Sequence, residues 1–310
     1  MKKIVAIAVA YHPEATAFSM LLERLLAQAS LVVVVDNTPG DQNPLLVSLI
    51  SAQSDHERCR LVRLKTNTGI ASAINIGLQA ALTEGADFVL LSDQDSLPSI
   101  DMVENLCRVY AELTAQGVRV GAIGPTFLDL NTSLTFPFQA DLPGKFFYGH
   151  KGSTVEEPHV EALSLITSGS LIPAEVIQVV GPMREDFFID NVDVEWCHRA
   201  RSMGYRIFGT GWATMYQRLG EAKLRVWYLR WRYESEYSPI RSYYRLRNLV
   251  ALWKLDFIDW RWKVRNTWYG LGVVYTHTFF AKKQNAKHLL MAAKGVWHGL
   301  TNRMGPYKEE

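Results

Sequence analysis

An α/β fold built on a mostly parallel sheet, flanked by helices, is what this sequence predicts, and three observations predict it. Apolar runs of the buried-strand type, Ile4–Ala10, Leu31–Val35, Cys59–Leu64 and Phe88–Ser92, alternate with segments of helical periodicity. Most of these runs close on polar or turn residues, among them Tyr11-His12-Pro13, Asp36-Asn37-Thr38-Pro39-Gly40 and Asp93-Gln94-Asp95. The alternation itself requires crossover connections, which are right-handed and leave neighbouring strands parallel. With 310 residues and 48% hydrophobic content, the chain can bury a full core in one large domain or two smaller ones.

The elements follow in order. Met-Lys-Lys before Ile4–Ala10 imitates a secretory leader, but Tyr11-His12-Pro13-Glu14 breaks the run without a cleavage site, so a first strand is expected. Ala17–Ala29 places Leu21, Leu22, Leu25 and Leu26 on one side of a helix, and Pro44–Ala52 reads as the next. Asn67-Thr68-Gly69 opens a helix running to about Thr83. After Phe88–Ser92 come a helix over Asp101–Ala115 and a strand near Val120–Ile123. Asn131–Glu157 is rich in loop residues, with Pro137, Pro143 and several glycines. Leu163–Thr167 reads as a strand ending in Ser168-Gly169-Ser170, and Glu175–Val180 as a short helix. Phe187–Ile189 leads into a helix crowded with carboxylates at its start, and Tyr205–Gly209 and Trp212–Tyr216 are strand-like. Beyond Arg225 the pattern is helical and aromatic.

In a parallel sheet, ligands bind outside the carboxyl ends of the strands. Tyr11, Asp36, Asp93 and Asp95 all fall at such ends. Asp93 and Asp95 flank one residue with no basic neighbour, so a divalent metal or ligand hydroxyls are their natural partners. The competing reading is that one of them caps the helix beginning near Pro98. Asp36 also suits an ordinary turn before Asn37, and Asn67-Thr68-Gly69 suits an ordinary helix cap as well as an anion or a polar ring. Asp190, Asp193 and Glu195 form a second acidic cluster at a helix start, where the helix dipole favours some of this enrichment. Asp193 suits a general base if it faces the same cleft, with Ser168-Gly169-Ser170 as its floor. No Gly-x-Ser-x-Gly, phosphate-binding Gly-Lys-Ser/Thr or zinc spacing is present, which excludes the common hydrolase and phosphotransfer signatures. Cys59, Cys107 and Cys197 are widely spaced and read as buried thiols of a cytosolic protein.

Val32–Thr38 with its terminal Asp36, Asn67–Gly77, Asp93-Gln94-Asp95, Ser168-Gly169-Ser170-Leu-Ile-Pro and Phe188–Arg199 occur in that order at fitting distances. Each motif is weak alone. As an ordered set they resemble the family 2 glycosyltransferases of GT-A fold, most closely their rhamnosyltransferase branch. The resemblance covers about residues 4–220, and Ser238–Asn248 extends it. It implies that Asp36 holds the N3–H of a pyrimidine, that Tyr11, Asn67 and Gly69 line the nucleotide pocket, and that Asp93 approaches the ribose and sugar. It implies further that Asp95 ligates a Mg²⁺ or Mn²⁺ bridging the diphosphate. Asp193 would be the base that deprotonates an acceptor hydroxyl for inverting displacement, with Asp190 its rival. Ser168, Gly169, Ser170, Glu195 and Arg247 fall on the acceptor side. In one place the chain departs from the pattern: where the family commonly has a metal-ligating histidine before a Leu-Gly pair, Gln217 precedes Leu219-Gly220. Gln supplies a weaker oxygen ligand, which weakens the expectation of metal dependence.

The charge is uneven. From Lys223 onward there are 17 Lys and Arg against 6 Asp and Glu, and seven of the nine Trp. An acidic body over 1–222, with a nucleotide-binding half at 1–97 and an acceptor half at 98–222, thus continues into a basic, aromatic extension over 223–310. Trp260-Arg261-Trp262-Lys263-Val264-Arg265 suits a membrane surface, where Trp sits at headgroup level and Arg meets phosphate. The extension could instead be a structural cap. No nucleic-acid module is recognisable. No segment has the length of uncharged apolar residues that spans a bilayer, the nearest being Thr267–Ala281. With the basic extension, the resemblance implies transfer of L-rhamnose from dTDP-L-rhamnose to a lipid-linked or growing surface glycan, on the inner face of a bacterial plasma membrane. The alternatives are a UDP-sugar donor on the same fold, a non-catalytic nucleotide-sugar-binding protein docked on a membrane, and a nucleotidyltransferase. The last fits worst, because Tyr11-His12-Pro13 stands where a glycine-rich basic loop is expected.

Overall fold

The computed structural model describes residues 2–130, 134–217, 223–228, 230–235, 237–280 and 285–308, the side chains of 223–235 and of Asn285 excepted. The chain begins β1 (Ile4–Ala10), α1 (Ala15–Leu26), β2 (Leu31–Asp36), α2 (Pro44–Ser51), β3 (Cys59–Arg63), α3 (Ile70–Thr83) and β4 (Phe88–Asp93). It continues through β5 (Ser96–Pro98), α4 (Met102–Ala115), β6 (Val120–Asp129), β7 (Thr135–Phe136), β8 (Phe138–Ala140), β9 (Gly149–Lys151), β10 (His159–Ala162) and β11 (Leu171–Pro173). Then come α5 (Ala174–Val180), α6 (Val192–Ser202), β12 (Arg206–Gln217), β13 (Lys223–Tyr228), β14 (Arg230–Ser235), α7 (Pro239–Trp253), α8 (Trp260–Phe280) and α9 (Asn285–Leu300).

Strands β3, β2, β1 and β4 lie side by side in that order and are all parallel, as the alternation of apolar runs and helices requires. Beyond β4 the sheet becomes mixed. The three-residue β11 runs antiparallel to both β4 and β6, β12 is parallel to β6, and β10 and β5 are antiparallel to β12. By pairing with β4 on one side and β6 on the other, β11 joins the two halves of the sheet.

The sheet is buried on both faces by alternate residues of its strands. Val5, Ile7, Val33 and Val35 pack toward Ile74 and Leu78 of α3 and Trp196 of α6. Ala6, Ala8, Val32 and Val34 pack toward Leu21, Leu22 and Leu25 of α1 and Leu106 of α4. Leu249 and Leu252 of α7 and Trp262 of α8 belong to the first of these clusters, so the C-terminal helices share a core with the sheet.

Three expectations are corrected. Leu163–Thr167 is not a strand. The chain pairs earlier, as β10, and Leu163 and Leu165 then turn into the core while the backbone loops to Ser168. The segments expected at 205–209 and 212–216 are one strand, β12, whose register against β6 slips between Thr210 and Thr214. The extension does not begin as helix: β13 and β14 form an antiparallel pair, in keeping with their β-branched and aromatic content, and helix resumes at Pro239. The expected boundary at 222 lies outside the described residues.

Candidate active site

The parallel register sets Ala10 beside Asp36 and Val9 beside Asp93, so Tyr11, Asp36 and Asp93 share the carboxyl edge of the sheet. They surround β1, where the strand order reverses, which is the crevice that open α/β sheets use. Neither Asp93 nor Asp95 caps α4. The helix begins at Met102 after Asp101, and Asp95 sits in the tight turn between β4 and β5.

On one side of the crevice Asp36 is fully buried. Its Oδ1 accepts from the Thr38 amide (3.1 Å) and from Asn43 Nδ2 (3.2 Å). Its Oδ2 lies 3.6 Å from Arg63 Nη2 but accepts no hydrogen bond. A buried carboxylate oxygen left so is poised for a donor on a ligand. Asn37 Nδ2 donates to Asn67 Oδ1 (3.1 Å), and Asn67 Oδ1 in turn accepts from the Gly69 amide (3.0 Å). Gly69 has φ +86°, and a Cβ there would meet the Phe188 ring and carbonyl oxygen at 2.6 Å. Only glycine lets this loop close on Phe188, whose carbonyl accepts from the Ile70 amide (2.7 Å). Tyr11 stands half-exposed at the rim, its backbone held by Gln94: the Tyr11 amide donates to Oε1 (2.6 Å) and Nε2 donates to the Tyr11 carbonyl (3.0 Å).

On the other side three acids converge. Burial pushes the Asp93 carboxyl up to about 7, and the neighbouring Asp95 and Asp193 charges add to that rise. Burial likewise raises Asp95 and Asp193. The loop after Thr167 ties these acids together. The Asp93 amide donates to Ser168 Oγ (3.0 Å), the Gly169 amide donates to the Leu91 carbonyl (2.7 Å), and the Thr167 amide donates to Asp193 Oδ2 (3.3 Å). Ser168 and Gly169 thus lie against the end of β4, beside Asp93.

Asp190 and Asp193 are no longer equivalent. Arg241 of α7 binds Asp190 through both nitrogens, Nη2 to Oδ1 at 2.7 Å and Nε to Oδ2 at 3.3 Å. Asp193 accepts from the backbone amides of Val194 (2.8 Å) and Thr167 and is engaged by no cationic side chain among the described residues. Phe188, Asp190 and Asn191 all have positive φ, 62°, 64° and 62°, in the turn that delivers α6. Such strain persists where surrounding contacts over-determine it. Here Asn248 supplies them, its Nδ2 donating to the carbonyls of Phe187 (3.0 Å), Ile189 (2.8 Å) and Asp190 (2.7 Å).

Two expected acceptor-side residues lie elsewhere. Glu195 is buried in a two-pronged ion pair with Arg199, 3.0 Å for each bond, within α6. Arg247 is fully buried and donates to the carbonyls of Asp186 (3.1 Å), Phe187 (2.8 Å) and Gly305. Arg247 thus supports the acidic turn from behind, while Glu195 serves α6 itself. Gln94, Arg241 and Asn248 were not singled out by sequence. The first two sit inside motifs read for their neighbours, and Asn248 acts through backbone carbonyls, which leave no side-chain pattern to read.

The residues present fit a divalent metal that is held mainly by a ligand. Asp95 keeps solvent access and Gln217 hydrogen-bonds it, while a cluster of desolvated acids leaves negative charge to neutralise. Among the described residues no three His, Cys, Asp or Glu gather into a protein-only site. Mg²⁺ commonly takes one or two carboxylates plus substrate phosphates, so Asp95 with Gln217 suffices for that class of site. Leu219-Gly220 lie outside the described residues.

This geometry can be set beside known proteins. The profile of Glycosyl transferase family 2 matches residues 7–153, which contain Tyr11, Asp36, Asn67, Gly69, Asp93 and Asp95. The chain is 28% identical over 303 residues to the dTDP-rhamnosyl transferase RfbF of Shigella flexneri, covering 96% of each chain. Its fold is similar to that of a mannosyltransferase from Pyrobaculum calidifontis, solved with GDP-Man and Mn²⁺, with TM-score 0.56, 17% identity and coverage of 96% of this chain and 75% of that one. It is also similar to GalNAc-T7, solved with UDP, GalNAc and Mn²⁺, with TM-score 0.55, 12% identity and coverage of 70% of this chain; it spans only 44% of GalNAc-T7. Residues 7–153 thus match Glycosyl transferase family 2, the fold is that of GT-A glycosyltransferases, and the chain along nearly its whole length is similar to a rhamnosyltransferase.

Proposed function

We propose that the chain transfers L-rhamnose from dTDP-L-rhamnose, with inversion, to a hydroxyl of a lipid-linked or growing cell-surface polysaccharide. The observation that carries the mechanism is the unequal pairing of the two acids at α6. Arg241 occupies Asp190, which leaves Asp193 as the carboxylate able to take a proton. The similarity to RfbF along nearly the whole chain supports the donor. In this reading the open Oδ2 of Asp36 accepts the N3–H of thymine, Asn67 and Gly69 pack beside the base, and Asp93 receives the sugar hydroxyls. Asp193 takes the proton from the acceptor hydroxyl as it attacks the anomeric carbon from the face opposite the diphosphate, and its raised pKa makes it a stronger base than an ordinary aspartate. A bound Mg²⁺ or Mn²⁺, held by Asp95 and Gln217, would neutralise the charge of the leaving diphosphate.

The extension supports a site of action at the inner face of a bacterial membrane. Trp260, Trp268, Tyr275 and Phe279 of α8 and Leu289, Leu290 and Trp297 of α9 are exposed, beside a strongly basic sequence. Among the described residues no helix is long and apolar enough to cross a membrane.

Calorimetric titration of the purified chain with dTDP-L-rhamnose, UDP-sugars and dTDP, with and without Mg²⁺, tests the reading. Tightest binding of dTDP-L-rhamnose, strengthened by metal, is expected. Preference for a UDP-sugar would keep the site and replace the donor, since uracil carries the same N3–H. Absence of all nucleotide binding would overturn the reading.

A further inference from the structure

Asp193 forms part of the wall of a cleft of about 360 Å³ between the sheet and α8. Arg265 and Tyr269 of α8 face it from the other side, and His150 of β9 closes its edge. Arg265 is half-buried and, among the described residues, pairs with no carboxylate; its hydrogen bond goes to His150 Nδ1 (3.2 Å). This sets it apart from Arg199, Arg241 and Arg261, each of which holds an acid. Burial without such a partner disfavours the guanidinium and lowers its pKa. A guanidinium only donates, so Nδ1 of His150 is the acceptor and Nε2 carries the ring proton. The cleft therefore presents a fork of cationic N–H groups next to a neutral imidazole N–H.

That donor set matches a phosphate, whose oxygens accept the guanidinium fork in two-pronged fashion. The surroundings point the same way. Trp268 and Tyr269, three and four residues after Arg265, lie on the same side of α8 and are 72% and 59% exposed. A phenol lining the cleft, with an exposed indole beside it on α8, is what a phosphate attached to an apolar chain would meet.

We propose that Arg265 and His150 bind a phosphate or diphosphate ester carried by the acceptor glycan, with the reacting hydroxyl toward Asp193. The proposal rests on the glycosyl-transfer reading and narrows it, because it makes the acceptor a phosphate-linked glycan rather than a neutral one. The phosphate can come from a lipid-linked carrier or from a soluble phosphorylated glycan.

The test uses the full chain in EDTA, with dTDP held saturating so that the donor pocket is closed to competitors. Binding of inorganic pyrophosphate and of geranyl diphosphate is measured on wild type, Arg265→Gln, Arg265→Lys and His150→Ala. Arg265→Gln is expected to weaken diphosphate binding about tenfold or more, and exposed His150→Ala about threefold. Arg265→Lys should recover part of the loss, because it restores the charge without the fork. Tighter binding of geranyl diphosphate than of pyrophosphate assigns the lipid-linked source, and equal binding assigns the soluble one. If the dTDP-saturated wild type binds neither probe, or Arg265→Gln and His150→Ala both bind them like wild type, the proposal is overturned while the donor reading stands. If dTDP itself fails to bind wild type, the glycosyl-transfer reading falls and takes the proposal with it.

Discussion

At the scale of single residues, the site turns on which acids are engaged and which are open. Asp193→Asn should abolish transfer, lowering kcat by about 10²–10⁴-fold while leaving dTDP-sugar affinity nearly intact, as product formation and calorimetry together would show. Normal turnover in that variant would move the base to Asp190, against its pairing with Arg241. Asp95→Ala should remove the strengthening of donor binding by Mg²⁺ and leave the metal-free affinity in place, measured as two titrations. Asp36, Asp93 and Asp95 were legible because each ends an apolar run, where a parallel sheet must present its edge. The proposed choice of Asp193 over Asp190 was not legible, since it rests on the pairing of Asp190 with Arg241, 51 positions further along the chain. The pairing of Arg265 with His150, separated by 115 positions, was hidden for the same reason.

At the scale of elements, α7 and the turn before α6 form one unit. Asn248→Ala leaves buried carbonyls without their donor and should cost about 2 kcal/mol, read as a lowered denaturation midpoint. Transfer should fall with it, because the turn it holds carries Asp190 and leads to Asp193. Gly69→Ala adds a Cβ against Phe188 at a left-handed backbone position and should cost on the order of 2 kcal/mol, with weaker nucleotide binding by calorimetry. The parallel strands and the helices between them were readable from periodicity, because a strand buried on both faces is a continuous apolar run. The mixed half was not. β11 has three residues, too few for a period, and its pairing with β4 continues from the Ser168-Gly169-Ser170 loop, which exchanges backbone hydrogen bonds with Leu91. The β13–β14 pair lies in a stretch whose basic and aromatic content masked its alternation.

Across the whole molecule, the C-terminal helices are bound to the sheet through His198 of α6 and Trp262 of α8, whose rings meet edge-on at 5.0 Å. Burial holds His198 down to about 4, and Arg201 lowers it further while Asp259 opposes. In the folded chain the ring is neutral, whereas the unfolded chain takes up a proton below its ordinary value of about 6.5. Stability from this group is thus intact above about pH 6.5 and is lost progressively as pH falls toward about 4, by about 3 kcal/mol in all. The difference in unfolding free energy between wild type and His198→Phe, measured at several pH values, isolates that slope from those of the acids in the cleft. Phe188 links two distant parts of the chain as well. Its carbonyl accepts from Ile70, and the missing Cβ of Gly69 admits its ring, so the loop beneath the proposed base pocket and the strained acidic turn are one mechanical body. If a nucleotide settles on Asn67 and Gly69 as proposed, part of its binding free energy should tighten the turn that carries the acids, and the coupling would run equally in reverse. Hydrogen exchange at 187–191 should slow when dTDP binds, although no atom of the nucleotide need touch those residues: the enzyme would set its base only once its donor is aboard.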